Sequence, residues 1–88
     1  MYKLVSFYHT LDTLLLEYIE FQHESIKNLF PELVLDLEDE NSNLWILHSD
    51  YLDRFPAHIL YYNNVKKTAL YGKVDTETIL EWLSNNVN

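Results

Sequence analysis

Apolar side chains run almost without a break through Tyr2-Lys3-Leu4-Val5-Ser6-Phe7-Tyr8, a stretch rich in aromatic residues. That pattern predicts a strand covered on both faces of a sheet. His9-Thr10-Leu11-Asp12 breaks it, and either Thr10 or Asp12 can cap a following helix by accepting a first-turn amide. The period then changes. Leu15, Tyr18, Ile19, Gln22, Ile26 and Leu29 recur every three or four residues, with Glu17, Glu20, Glu24 and Lys27 on the other side. This predicts an amphipathic helix over 12–29 whose apolar stripe Leu14 and Phe21 widen. Pro31 stops it and pushes Phe30 toward an extended conformation.

Leu33, Leu35 and Leu37 alternate with Val34 and Asp36, a second strand that runs into Glu38-Asp39-Glu40. Asn41 or Ser42 can cap a short helix through Ser49 that carries Leu44, Trp45, Leu47 and His48. After Phe55-Pro56, His58 to Tyr62 reads as a strand and Asn63-Asn64 as a two-residue turn, since Asn tolerates positive φ. Val65 to Tyr71 is the returning strand, ended by Gly72. Asp75 caps a last helix over 76–84 that buries Ile79, Leu80 and Leu83, with Trp82 partly covered. The order is β-α-β-α-β-β-α. Alternating strands and helices imply parallel pairing, and the hairpin then makes the four-stranded sheet mixed, with helices on both faces. Residues 1–88 form one domain without repeats or linkers.

Leu52-Asp53-Arg54-Phe55-Pro56-Ala57, followed by strand, Asn-Asn turn, strand and the chain's single glycine, resembles the cis-proline segment of the thioredoxin-like superfamily. Val5-Ser6-Phe7-Tyr8-His9-Thr10-Leu11 resembles the thioredoxin strand that leads into the redox motif. The resemblance spans nearly the whole chain and implies a minimal thioredoxin-like α/β fold. It also implies that the two redox cysteines would fall at Asp12 and Leu15, and the buried acid of thioredoxins at Ser6. The chain contains no cysteine. Disulfide attack needs a thiolate at the helix N-terminus, so the resemblance implies a redox-inactive member. Asp12 reads first as an N-cap, because the helix dipole favours a carboxylate there. The family's cis-proline loop pairs with extended peptides or glutathione. By that resemblance, Thr10, Leu11, Asp12, Thr13, Arg54, Phe55, Pro56, Gly72 and Lys73 form a candidate protein- or peptide-binding edge. The plainer reading is that Pro56 only shapes the entry to the third strand.

Charge narrows the partners. The net charge is −8: residues 1–53 hold eleven acids against Lys3 and Lys27 (−9), and residues 54–88 hold three acids against four cations (+1). A phosphate backbone would be repelled, so direct nucleic-acid binding is not expected. A basic protein partner is compatible with this charge, as is plain solubilisation. No apolar run approaches the ~20 residues that span a bilayer. Met1-Tyr2-Lys3 leads straight into a strand, as in a chain without a secretory leader. These features predict a cytoplasmic protein with no membrane partner and leave the oligomeric state open.

Other chemistry finds little footing. His9, His23, His48 and His58 lack metal-ligand spacing, so no metal or cofactor is expected. Asp36 to Glu40 lacks the glycine and distal glutamate of a calcium loop. Ser6 and Ser49 sit in no nucleophile elbow. Tyr8 occupies the region of the glutathione-transferase hydroxyl, but Lys73-Val74-Asp75-Thr76 does not match that family's Glu/Gln-Ser pair. Tyr61, Tyr62, Tyr71, Trp45 and Trp82 are candidates for an exposed aromatic patch. The leading expectation is a non-catalytic protein-binding module: an adaptor, inhibitor or assembly component. Its Asn, Tyr, Ile and Leu content suits a viral or AT-rich-genome accessory protein. One alternative is an enzyme of the same fold using Tyr8, His9 and Asp12. Another is an acidic decoy for a basic nucleic-acid-binding protein, built from the carboxylates of residues 12–53.

Overall fold

Seven elements form in the expected order in the computed structural model, which describes residues 1–48 and 55–87. They are β1 (Tyr2–Tyr8), α1 (Thr13–Leu29), β2 (Val34–Asp39), α2 (Asn43–His48), β3 (Ala57–Tyr62), β4 (Val65–Tyr71) and α3 (Thr76–Asn86). The sheet order is β2-β1-β3-β4. β1 pairs parallel with β2 and antiparallel with β3, and β3 pairs antiparallel with β4.

The continuous apolar run of β1 is explained by its central place. Leu4, Val5, Ser6 and Phe7 are all fully buried, because helices cover both faces. On one face Leu4 and Leu60 pack with Ile26 of α1, Leu33, and Ile79 and Leu83 of α3. On the other, Val5, Phe7, Ala57, Ile59 and Tyr61 surround Trp45 of α2. The Trp45 ring lies 5.3 Å from Phe7 and 4.7 Å from Phe55.

Local signals close the elements. The Asp12 carboxylate accepts the Leu15 amide at 3.0 Å, so it is Asp12 and not Thr10 that caps α1. Ser42 Oγ accepts the Leu44 amide at 3.1 Å. Asp75 accepts the Thr78 amide at 2.8 Å, and the Thr78 side chain together with that amide holds its carboxyl below the ordinary range. Asn63 and Asn64 have φ of 50° and 69°, the pair of positive values a tight hairpin requires.

The structure corrects the pattern in several places. β2 begins at Val34 and carries on through Glu38 and Asp39, which the parallel register sets beside Phe7 and Tyr8. α3 continues to Asn86, where the Val87 amide bonds the Leu83 carbonyl. Leu80 is only half-buried. Ser49, expected at the end of α2, lies outside the described residues. The buried arc of α1 is narrow: Leu15, Ile19, Gln22 and Ile26. Leu14 and Phe21 do not widen it. They stand seven residues apart on one flank, about 100° from the arc, and are 77% and 63% exposed. Leu29 is also exposed, beyond the last turn that packs. The aromatic patch does not form as expected either. Trp45 and Tyr61 are buried, Tyr71 and Trp82 half-buried, and Tyr62 alone of the five is exposed.

Candidate functional site

At the end of β1 the chain must leave the sheet and start α1, and a compact polar corner forms there. The Glu40 carboxylate, just past β2, accepts the Thr10 hydroxyl at 2.6 Å and the Thr10 amide at 2.8 Å. These two bonds hold the Glu40 carboxyl below its ordinary range. His9 Nδ1 accepts the Leu11 amide at 3.2 Å and lies 4.0 Å from Glu40. The His9 carbonyl accepts the Asp12 amide at 2.9 Å. Leu11, in contrast, stands 86% exposed in the middle of the corner.

The neighbouring loops reach the same place. The His9 ring sits edge-on to Phe55, with centroids 6.2 Å apart. The Phe55–Pro56 peptide bond is cis, as the resemblance implies. The Pro56 carbonyl accepts the Gly72 amide at 2.8 Å. Gly72 has φ +88°, where a Cβ would meet no neighbour but would strain the backbone. The ammonium of Lys73 lies 4.9 Å over the ring of Tyr18 on α1. The Val74 carbonyl accepts both the Tyr18 hydroxyl, at 3.0 Å, and the buried Gln22 amide, at 2.9 Å. Thus His9 links the turn that leads into α1 with Phe55, and a backbone bond links Pro56 with Gly72. Lys73 is tied instead to the flank of α1. Thr13 is exposed at the first position of α1. Arg54 lies outside the described residues.

Beneath the corner lies a cluster the sequence did not reveal. Ser6 and His58 are paired residues of β1 and β3, and strand alternation turns both toward α1. Ser6 Oγ is 2.7 Å from His58 Nδ1 and 2.8 Å from His23 Nε2. The hydroxyl donates to one ring and accepts from the other. His58 Nε2 is buried with no hydrogen-bond partner among the described residues. Burial pushes His58 down to about 3, and the neighbouring His23 adds to the shift. Burial also lowers His23 to about 4, against the opposing pull of Asp36. Both rings are therefore neutral near pH 7. The cluster is a buried polar contact, and Ser6 is closed to solvent.

Open concavities lie elsewhere. A groove of about 770 Å³ runs at the opposite end of the sheet, lined by Met1, Leu29, Phe30, Pro31 and Val87 among others. Smaller hollows are lined by Lys3, Leu44 and Asn64, and by Tyr62, Val65 and Lys66. Tyr8, His9 and Asp12 line none of these. The acidic run is in use locally: Asp36 accepts the Leu37 amide, Glu38 the Ser42 hydroxyl and Asp39 the Asn41 amide. Among the described residues no three His, Asp or Glu side chains gather as metal ligands. No described helix is long and apolar enough to cross a membrane.

No protein-family model and no curated protein sequence matches the chain. Solved structures do. The germline-specific thioredoxin Deadhead from Drosophila melanogaster is 15% identical with a TM-score of 0.74, over 98% of this chain and 81% of that one. Oxidised thioredoxin O2 from Arabidopsis thaliana is 13% identical with a TM-score of 0.75, over 100% and 76%. A variant thioredoxin from Halobacterium salinarum is 13% identical with a TM-score of 0.76, over 99% and 75%. At such identities the likeness establishes the fold.

Proposed function

Starting from a thioredoxin-like fold without cysteine, we propose that the chain is a non-catalytic protein-binding module that uses the corner where its fold relatives carry out redox chemistry. The observation that carries this reading is the division of labour at the corner. Its polar groups are committed to one another: Glu40 to Thr10, Asp12 to Leu15, and His9 to Leu11. Among the described residues of the corner, the large hydrophobic side chain left open to solvent is Leu11. By the sequence resemblance the redox cysteines would fall at Asp12 and Leu15, and both of these have structural duties, as cap and as core. Such a surface favours contact over reaction, because a reactive group needs unspent hydrogen-bonding capacity or a perturbed pKa in an open cleft. The open grooves lie away from Tyr8, His9 and Asp12, which supports a binding role over an enzyme of the same fold.

The test is co-purification of the tagged chain from the cells that express it, beside the variant Leu11→Asp/Thr13→Arg. Both positions are exposed, so the fold should be unaffected. Loss of a stoichiometric protein partner in the variant, with little effect of salt, is the expected result. A partner retained undiminished by the variant would count against the corner. Steep salt dependence, abolished by neutralising Glu38, Asp39 and Glu40, would favour the acidic-decoy reading instead.

A further inference from the structure

The exposed flank of α1 continues the corner as an apolar stripe. Leu14, Tyr18 and Phe21 follow one another at helical spacings of four and three, so their side chains adjoin. Leu14 and Phe21 are largely exposed, whereas Tyr18 is half-buried, its hydroxyl spent on the Val74 carbonyl. Leu11 stands just before the helix, at the upper end of the stripe. Other large apolar side chains are also exposed, but Leu14 and Phe21 adjoin across Tyr18, and a contiguous apolar stripe is the kind of surface that marks an interaction site.

The borders of the stripe are acidic. Glu17 is three residues from Leu14 and four from Phe21, and Glu24 is three beyond Phe21. Helix geometry therefore sets both carboxylates along the solvent side. On the other side, the Tyr18 hydroxyl donates to the Val74 carbonyl, and the residue after Val74 is the acidic cap of α3, Asp75. The local cation is Lys73, already seated on the Tyr18 ring. The whole chain carries −8. Apolar anchors between carboxylate borders complement a segment with apolar residues on one face and Lys or Arg beside them. An acidic segment would meet like charge on both sides.

We infer that the Leu14–Tyr18–Phe21 flank of α1 docks a basic amphipathic helix of a protein partner. This deepens the proposed binding role by naming the partner's chemistry, and it rests on that reading. The test uses a synthetic peptide of about 18 residues, leucines on one helical face and lysines on the other. One control has every lysine replaced by glutamate, and another has the same composition with its leucines scrambled. Calorimetry and amide chemical-shift mapping provide the readouts. The leucine–lysine peptide should bind saturably, with shifts confined to residues 11–24 and 73–75. Both control peptides should bind at least tenfold more weakly. Leu14→Ser/Phe21→Ser should lower affinity at least tenfold while leaving the thermal midpoint unchanged. Glu17→Gln/Glu24→Gln should weaken binding several-fold at low salt, a difference that vanishes near about 0.5 M salt.

Absence of saturable binding overturns the inference, as do shifts centred on residues 36–40 or equal binding of the glutamate peptide. Binding insensitive to Leu14→Ser/Phe21→Ser overturns it too, and leaves the corner reading to be judged on Leu11→Asp/Thr13→Arg. Conversely, peptide binding lost only in the flank variant, with a natural partner insensitive to the corner variant, supports the flank and counts against the corner.

Discussion

Acid should loosen this protein well above the pH at which its carboxylates titrate, and the Ser6–His23–His58 cluster sets the size of the effect. In the unfolded chain each histidine titrates near about 6.5. In the folded protein His23 is lowered to about 4 and His58 to about 3, chiefly by burial. Between these limits the unfolded chain binds more protons than the folded one. Stability therefore rises with pH up to about 7 and falls as pH drops below about 6.5. At pH 5 the folded rings remain neutral while the unfolded ones are almost fully charged, so each contributes a loss of about 2 kcal/mol relative to pH 7. That loss depends little on how far below 5 the folded values lie. The pair together predicts about 4 kcal/mol, a large share of the stability of a small domain. Glu40 and Asp75, both lowered, lose their contributions only as pH falls through the ordinary carboxylate range and below.

The assay is urea denaturation followed by tryptophan fluorescence at pH 7, 6 and 5. His58→Leu should remove about half of the fall, since its titration disappears with the ring. At pH 7 its cost should stay within about 1 kcal/mol, because Ser6 loses one partner while a buried nitrogen with no partner among the described residues is also removed. A stability that changes by less than about 1 kcal/mol from pH 7 to 5, or an undiminished slope in the variant, would refute the reasoning.

Other expectations concern the local devices. Asp12→Ala removes the carboxylate that holds the Leu15 amide and should cost about 1 kcal/mol, with Asp12→Ser recovering most of it in thermal melts. Gly72→Ala meets no atom but places a Cβ at φ +88°, so it should cost about 1–2 kcal/mol from the backbone alone. Asn64→Gly at φ 69° should be neutral or stabilising by a few tenths of a kcal/mol, and a loss above about 1 kcal/mol would contradict the hairpin geometry. Phe7→Ala, which empties the contact with Trp45, should cost about 3–5 kcal/mol and alter the fluorescence of the buried indole.

Much of the fold was legible because it follows from local rules. A nearly unbroken apolar run in β1 requires a central strand, and a period of 3.6 ended by Pro31 requires a helix. Asp12, Asp75 and the Asn63-Asn64 pair act on amides or dihedrals within three residues, so their roles can be read from neighbours alone. The lack of cysteine leaves this chain no thiol of its own for disulfide exchange. Only the tertiary structure could decide what depends on register and helix phase. Ser6, His23 and His58 are separated by 17 and 35 positions and meet only because β1 and β3 pair Ser6 with His58 beneath α1. Leu14 and Phe21 widen the apolar stripe of α1 in the sequence but stand about 100° from its buried arc. In the folded chain neighbouring elements leave that flank uncovered, and both side chains stay exposed. Hydrophobic periodicity states which residues can be buried. Which of them are depends on how much surface the neighbouring elements offer to cover them.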